Sequence, residues 1–255
     1  MSKKHILSFS GGKDSTFLLL ELIRRKCPLD EVVFFDTGWE FPVMYEHIEK
    51  CKKICAEHGI KFVTLRPEHS FDYLMFDKEV CGKNGLHYGY SWCGGRCRWG
   101  TTEKLKALDN YAKQNEDCIF YIGIAIDEPE RLKKERASYK CFPLAEWGIT
   151  EAECLKGCYE EGFDWGGMYE HLDRLSCKYC ANKNLKELRN IRKHYPDVWE
   201  ELKDYQSRTN RPYKGTGKSV FDLEKRFALE EEREMQGLST TNKEFYAELK
   251  RIVGD

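Results

Sequence analysis

At 255 residues the chain can bury a substantial core, as one large domain or as a domain with a smaller appendage, and it is no small stapled scaffold. Lys and Arg total 42 against 43 Asp and Glu, for a formal charge of -1, which excludes a polyanion-binding field over the whole surface and makes any nucleic-acid contact local. The opening Met1-Ser2-Lys3-Lys4 carries no apolar signal segment and no run reaches about 18 apolar residues, so a soluble, cytoplasmic protein without membrane contact is expected.

Short β-rich runs alternate with helical patterns through the first half, which predicts a parallel sheet with helices on both faces. Strands are expected at residues 5–10, 31–37, 61–66 and 118–125. Helices are expected at 15–25, at 42–58 with Gly59 as the stop, and at 101–113. Residues 71–100, rich in glycine and aromatics, read as a long irregular loop, a length that usually marks function. Charged helices follow at 183–194, 196–205, 222–235 and 242–252, and the basic, turn-rich stretch 208–218 is expected to be a mobile loop. The expected organisation is an α/β nucleotide-binding domain over 1–150, a Rossmann-like parallel sheet flanked by helices, and a mostly helical C-terminal region over 151–255.

The chemistry begins where the first strand ends. Ser10-Gly11-Gly12-Lys13-Asp14-Ser15 follows the run His5-Ile6-Leu7-Ser8-Phe9 and opens a helix. That arrangement gathers backbone N–H groups and the positive end of a helix dipole around one point, an anion site. The two glycines let the backbone approach the anion, Lys13 adds charge, and Ser10 and Ser15 add hydroxyls. Asp14 suits a magnesium contact or the holding of Lys13. The Walker spacing is absent, and so is the Rossmann glycine fingerprint. The six residues resemble the PP-loop of the ATP pyrophosphatase superfamily, which splits ATP between its α and β phosphates.

Further motifs narrow the resemblance. Asp36-Thr37-Gly38, then Phe41-Pro42, stands at the end of the second strand, where open α/β sheets bind ligands. Downstream come Gly123, the pair Asp127-Glu128 and Arg131, then Pro143-Leu144 with Trp147 and Thr150, and then Met168-Tyr169 ahead of Cys177 and Cys180. In this order they resemble the adenylyl-sulfate and phosphoadenylyl-sulfate reductase branch, over about residues 5 to 182. The resemblance implies adenine-nucleotide binding by Ser8, Ser10 to Ser15, Asp36, Thr37, Gly38 and Gly123. It implies chemistry at Lys13, Asp14, Asp127 and Arg131, with ATP and magnesium as cofactors.

Twelve cysteines in such a chain point to free thiols, metal ligands or catalysis. Cys93 and Cys97, far upstream of Cys177 and Cys180, form a two-plus-two set of the number that a tetrahedral zinc or a cubane iron–sulfur cluster requires. Adenylyl-sulfate reductases carry a cysteine pair upstream of a Cys-x-x-Cys on a four-iron cluster, but there the first two cysteines are adjacent. The resemblance therefore implies a [4Fe-4S] cluster, with zinc or unmetallated thiols as alternatives. The remaining eight cysteines read as packing or surface residues. The reductases also use a nucleophilic cysteine in a mobile C-terminal segment, and within these 255 residues no cysteine follows Cys180. The leading expectation is thus an adenylyl-transferring ATP pyrophosphatase, a transferase that could serve sulfur transfer. Its partners would be an adenine nucleotide and a tRNA or DNA acceptor or a sulfur-donor protein, with a homodimer allowed. Phosphate contacts could come from Arg96, Arg98, Lys133, Lys134 and Arg136, from the 208–218 loop, and from Lys186, Arg189, Arg192 and Lys193. A sulfonucleotide reductase and a noncatalytic nucleotide-binding subunit are the alternatives.

Overall fold

A computed structural model describes residues 3–83, 85–92, 97–98, 100–115, 117–134, 137–214 and 218–254. The chain divides into two compact units, one of Met1–Glu68 and Thr102–Cys177, the other of His69–Thr101 and Lys178–Asp255.

The first unit is built on five parallel strands: β1 (Lys4–Phe9), β2 (Glu31–Phe35) and β3 (Lys61–Leu65), then β6 (Cys118–Ile122) and β7 (Lys140–Cys141), in the order β3-β2-β1-β6-β7. Helices α1 (Lys13–Arg24) and α2 (Pro42–Glu57) make the crossovers on one side. After β3 the chain returns to the far side of β1 through α3 (Thr101–Gln114). The strand order reverses between β1 and β6, and their carboxyl ends diverge there into a crevice. The expected α/β class and Rossmann-like parallel sheet are what the chain forms.

The two faces follow from the period of two along each strand. On one face Ile6, Val33 and Phe120 pack with Leu108, Tyr111 and Ala112 of α3. On the other, Phe9 stacks on His47 of α2, 6.5 Å between ring centres, and Leu18, Leu19 and Leu22 of α1 are fully buried. Each such leucine contributes roughly 2 kcal/mol of transfer free energy. Met44, Ile48, Cys51 and Cys55 repeat at helical spacing and form the buried stripe of α2. The short helices α4 (Pro129–Leu132), α5 (Pro143–Glu146) and α7 (Met168–His171) and the longer α6 (Glu151–Glu160) complete this unit. A capping box at Thr150 and Glu153 opens α6, which packs along α1.

His47 is buried, with Nε2 2.9 Å from the Thr16 hydroxyl. Burial, helped by Lys50, lowers its pKa from 6.5 to about 4. The unfolded chain therefore takes up this proton at a higher pH than the folded one. Stability from the neutral ring is complete above pH 6.5 and falls as pH drops toward 4, by about 1.4 kcal/mol per pH unit. Urea midpoints at pH 7 and pH 5 should differ accordingly, and His47→Gln should flatten that difference.

In the second unit a π-helical turn, Tyr73–Asp77, precedes an antiparallel hairpin, β4 (Glu79–Gly82) with β5 (Gly85–Tyr88). Residues 71–100 are thus not one irregular loop. Four helices follow: α8 (Leu185–His194), α9 (Pro196–Ser207), α10 (Val220–Met235) and α11 (Lys243–Val253). Asn184, Ser219 and Asn242 cap α8, α10 and α11 with their side chains. In the stretch read as a mobile basic loop, Tyr213 is buried, edge-on to Trp92, and Lys214 donates to the Ala181 and Lys183 carbonyls at 2.6 Å each. These two residues anchor the stretch, and Gly215, Thr216 and Gly217 lie outside the described residues. Among the described residues no helix is long and apolar enough to cross a membrane.

Candidate functional site

β1 delivers the Ser10–Ser15 turn to the sheet edge, and α1 opens at Lys13. Gly11 has φ +77°, a left-handed conformation that strains any residue with a Cβ, and a Cβ there would also press on the Met44 methyl at 2.9 Å. The turn is held internally by the Ser15 hydroxyl, which accepts from Ser10 N at 3.1 Å and donates to the Gly12 carbonyl at 3.1 Å. It is held from below by two aromatics. Trp165 Nε1 donates to the Gly11 carbonyl at 2.9 Å, and the Tyr169 hydroxyl accepts from Lys13 N at 2.8 Å. The first amides of a helix lack partners inside it. With Lys13 N taken, those of Asp14 and Ser15 are the next donors of this first turn.

The Lys13 side chain is only 10% exposed, and its ammonium lies 2.5 Å from Glu151 and 3.2 Å from Asp14. Desolvation pulls its pKa down, but the two carboxylates outweigh burial and leave it above the ordinary lysine value. Asp14 moves the other way from a usual paired acid. Burial raises its pKa, Lys13 opposes, and Glu151 and Glu128 add to the rise. Its Oδ1 is buried and receives no hydrogen bond. Asp127 accepts from Glu151 N at 3.0 Å and so fixes the start of α6, while Glu128 accepts from Ala125 N and pairs with Arg131.

A cavity of about 540 Å³ opens on the α3 face of the crevice. Ser8, Ser10, Ser15, Gly123 and Arg131, all singled out in the sequence, line it together. Ser8 lies two residues beyond Ile6 on the same strand face, which carries the wall of the α3-side core up to the site. Gly123 is required by proximity: a Cβ would sit 3.1 Å from both Asp14 C and Ser15 N. The volume is that of a pocket for a nucleotide-sized ligand.

The other expected residues are placed differently. Asp36 is buried, with Oδ1 accepting from Gly38 N at 2.9 Å and the Tyr45 hydroxyl at 3.0 Å and Oδ2 paired to Arg66 at 3.3 Å. Thr37 donates to Glu40 at 2.6 Å and accepts from Trp39 N at 3.2 Å. None of Asp36, Thr37 and Gly38 lines the cavity. Of the thiol set, Cys93 lies outside the described residues, Cys97 Sγ accepts from Gly100 N at 3.1 Å, and the Cys180 carbonyl accepts from the Tyr213 hydroxyl. Among the described residues no group of three or more His, Cys, Asp or Glu side chains is arranged to hold a metal. Cys55 and Cys158 are buried, and desolvation raises their thiols to about 12, so they act as packing groups.

Sequence reasoning passed over Glu151 and Lys104. The signal available for Glu151 was its place in the first turn of α6, directly after the capping Thr150, where an acid is favoured. Because Glu151 occupies the ammonium that an incoming phosphate would use, Glu151→Gln is expected to tighten ATP binding about threefold to tenfold in calorimetric titration. Weaker binding would show instead that the carboxylate serves the ligand.

Sheet order, glycine turn and crevice define an α/β nucleotide-binding protein of the PP-loop ATP pyrophosphatase superfamily. Residues 4–153 match the phosphoadenosine phosphosulfate reductase domain, and the chain belongs to that family, whose members are typically enzymes. It is 25% identical over 238 residues to uncharacterized protein MJ0066 of Methanocaldococcus jannaschii, covering 82% of this chain and 44% of that protein. It is 27% identical over 213 residues to uncharacterized protein MJ0973 of the same organism, covering 79% of this chain and 47% of that one. The chain thus spans about half the length of these relatives. A 66-residue stretch, 26% of this chain, is 33% identical to 20% of a Chlamydia trachomatis tRNA(Ile)-lysidine synthase.

Proposed function

We propose that the protein is an ATP α-β pyrophosphatase that adenylylates an acceptor. The observation that carries this reading is the cavity at the β1–β6 crevice, bounded by the Ser10–Ser15 turn with Lys13 buried beside it. In the reaction an acceptor oxygen attacks the α phosphorus, the bond to the β-phosphate oxygen breaks, and pyrophosphate leaves with the electron pair. The Asp14 and Ser15 amides and the Lys13 ammonium are disposed to receive that charge, which is the kind of preorganised stabilisation phosphoryl-type transfer needs. Arg131, paired with Glu128, also lines the cavity.

Magnesium fits the site through Asp14, whose buried Oδ1 accepts no hydrogen bond and lies 3.2 Å from the Lys13 ammonium, with Glu151 and Glu128 near enough to act on it. Asp14, with Asp127 at the next loop, would hold the ion, which supplies charge neutralisation for the phosphates. The donor set for an iron–sulfur cluster or zinc, Cys93, Cys97, Cys177 and Cys180, is supported by spacing alone, and no step is assigned to it. Sulfur transfer to a tRNA or DNA is the extension of this reading; the 66-residue similarity to a tRNA(Ile)-lysidine synthase supports only a tRNA as acceptor, and the sulfur rests on the cysteine spacing alone. The basic helix α8 gives it little support. Arg189 pairs with Glu230 and Arg192 with Glu224 and Glu231, so these guanidinium groups serve the packing of α8 on α10.

The family match favours a second reading, reduction of a sulfonucleotide. The deciding experiment incubates anaerobically purified protein with magnesium and either ATP or the two adenylyl sulfates plus a thiol donor, and identifies the products by chromatography. AMP and pyrophosphate from ATP are expected. Sulfite from a sulfonucleotide, with ATP unchanged, would overturn the proposal in favour of the reductase.

A further inference from the structure

In the second unit the π-helical turn Tyr73–Asp77 is tied to the chain that leaves the β4–β5 hairpin. Tyr90 N donates to the Leu74 carbonyl at 2.9 Å and Ser91 N to the Met75 carbonyl at 3.0 Å. The crossing is so close that a Cβ on Gly89, at φ +69°, would lie 2.0 Å from the Met75 oxygen. Turn and hairpin are thereby braced as one platform.

Cations stand over aromatic rings on this platform. The Lys78 ammonium and the Arg98 guanidinium each lie 5.3 Å from the centre of the Tyr90 ring, and Arg208, at the end of α9, lies 3.9 Å from that of Phe76. Among the described residues neither Lys78 nor Arg98 pairs with a carboxylate, and Arg208 meets Asp204 only at 3.9 Å. A guanidinium held over a ring by its face keeps its in-plane N–H groups open to an acceptor. Two further rings face water, Tyr73 at 40% and Tyr88 at 62% exposed. Acids share the stretch: Asp72 accepts from the Tyr205 hydroxyl at 2.6 Å, and Asp77 and Glu79 are exposed. The surface is therefore no broad positive field of the kind that holds a duplex by its phosphates. It is a set of single cations interleaved with open rings, the combination that takes unstacked bases and the phosphates between them.

We infer that this face of the second unit binds single-stranded nucleic acid, with phosphates on Lys78, Arg98 and Arg208 and bases stacked on Tyr73 and Tyr88. RNA and DNA strands share that chemistry, whereas a duplex keeps its base faces covered. The inference stands apart from the cavity at the β1–β6 crevice and does not rest on the reaction proposed there.

The test is fluorescence anisotropy of the full chain with labelled oligouridylate, oligothymidylate and a DNA duplex, each of about 12 nucleotides or base pairs, between about 50 and 200 mM salt. At the lowest salt one or both single strands should bind at micromolar concentration, roughly tenfold or more tighter than the duplex. The tighter strand identifies the sugar, and equal binding shows that phosphates and bases suffice. Three phosphate contacts give a slope near about -2 in log affinity against log salt, at roughly 0.7 per contact, and Arg98→Gln should remove about 0.7 of it. Tyr88→Ser changes no charge, so it should weaken binding about fivefold or more at every salt concentration and leave the slope in place. A merely structural tyrosine or arginine would not divide the two effects in this way. Melting curves check folding, and Lys13→Gln, the control for binding in the cavity, should keep strand affinity within about twofold. Duplex binding as tight as that of the strands, no strand binding below about 100 μM, or a loss in Lys13→Gln equal to that in Arg98→Gln would overturn the inference. Strand binding by a chain that releases no AMP from ATP would sink the pyrophosphatase proposal alone.

Discussion

Replacing Lys13 by Gln is expected to lower the rate of AMP release from ATP by about a hundredfold to a thousandfold, the usual cost of losing one preorganised charge at a reacting phosphate. The same change should weaken ATP binding roughly tenfold or more. The geometry explains why the loss is large. The side chain is nine-tenths shielded from water, and its ammonium meets Glu151 at 2.5 Å and Asp14 at 3.2 Å. Removing it leaves two facing carboxylates, one of which, Asp14, already has a raised pKa from burial. Asp14 should then hold a proton to still higher pH, so residual activity should shift its acid limb upward. A rate within about threefold of the natural chain would show that the turn does not receive the leaving charge.

The second large effect is expected at Gly123. A methyl group there would press on Asp14 C and Ser15 N at 3.1 Å and on the Asp14 carbonyl at 3.2 Å, all backbone atoms at the start of α1. Backbone cannot rotate away as a side-chain tip can, so the end of β6 and the opening of α1 must separate. Gly123→Ala should cost about 1–3 kcal/mol of stability, read from urea unfolding, and weaken nucleotide binding by more than the stability loss alone explains. Gly123→Val should extend both effects. An alanine variant with native stability and native affinity would show that β6 does not brace the turn.

The reach of the sequence differs between elements for identifiable reasons. Strands β1, β2 and β6 are largely apolar runs because the middle of the sheet is covered on both faces, while β3 is an edge strand with no fully buried residue; the expected limits of all four agree with the structure within about three residues. The hairpin β4–β5 left no such signal, since every residue of β5 is exposed and no face is buried. β7 is two residues long, too short for any pattern. The helix starts at Thr150, Asn184 and Ser219 are written locally, as caps whose partners lie three residues on.

The candidate site divides in the same way. The sequence by itself determined the Ser10–Ser15 turn and its place between β1 and α1, because glycine geometry and strand-to-helix position are local properties; Gly123 and Arg131 came from the family resemblance, and both line the cavity. The tertiary structure alone decided what faces what. Packing of α6 along α1 brought Glu151 to Lys13, a separation of 138 positions in the chain. Crossing of α3 over the sheet set Lys104 and Arg131 on one cavity wall, and the turn after β2 consumed Asp36 in hydrogen bonds with Gly38 and Tyr45. Charge pairing and desolvation depend on distances through space, and residue order does not specify those distances until the helices have docked.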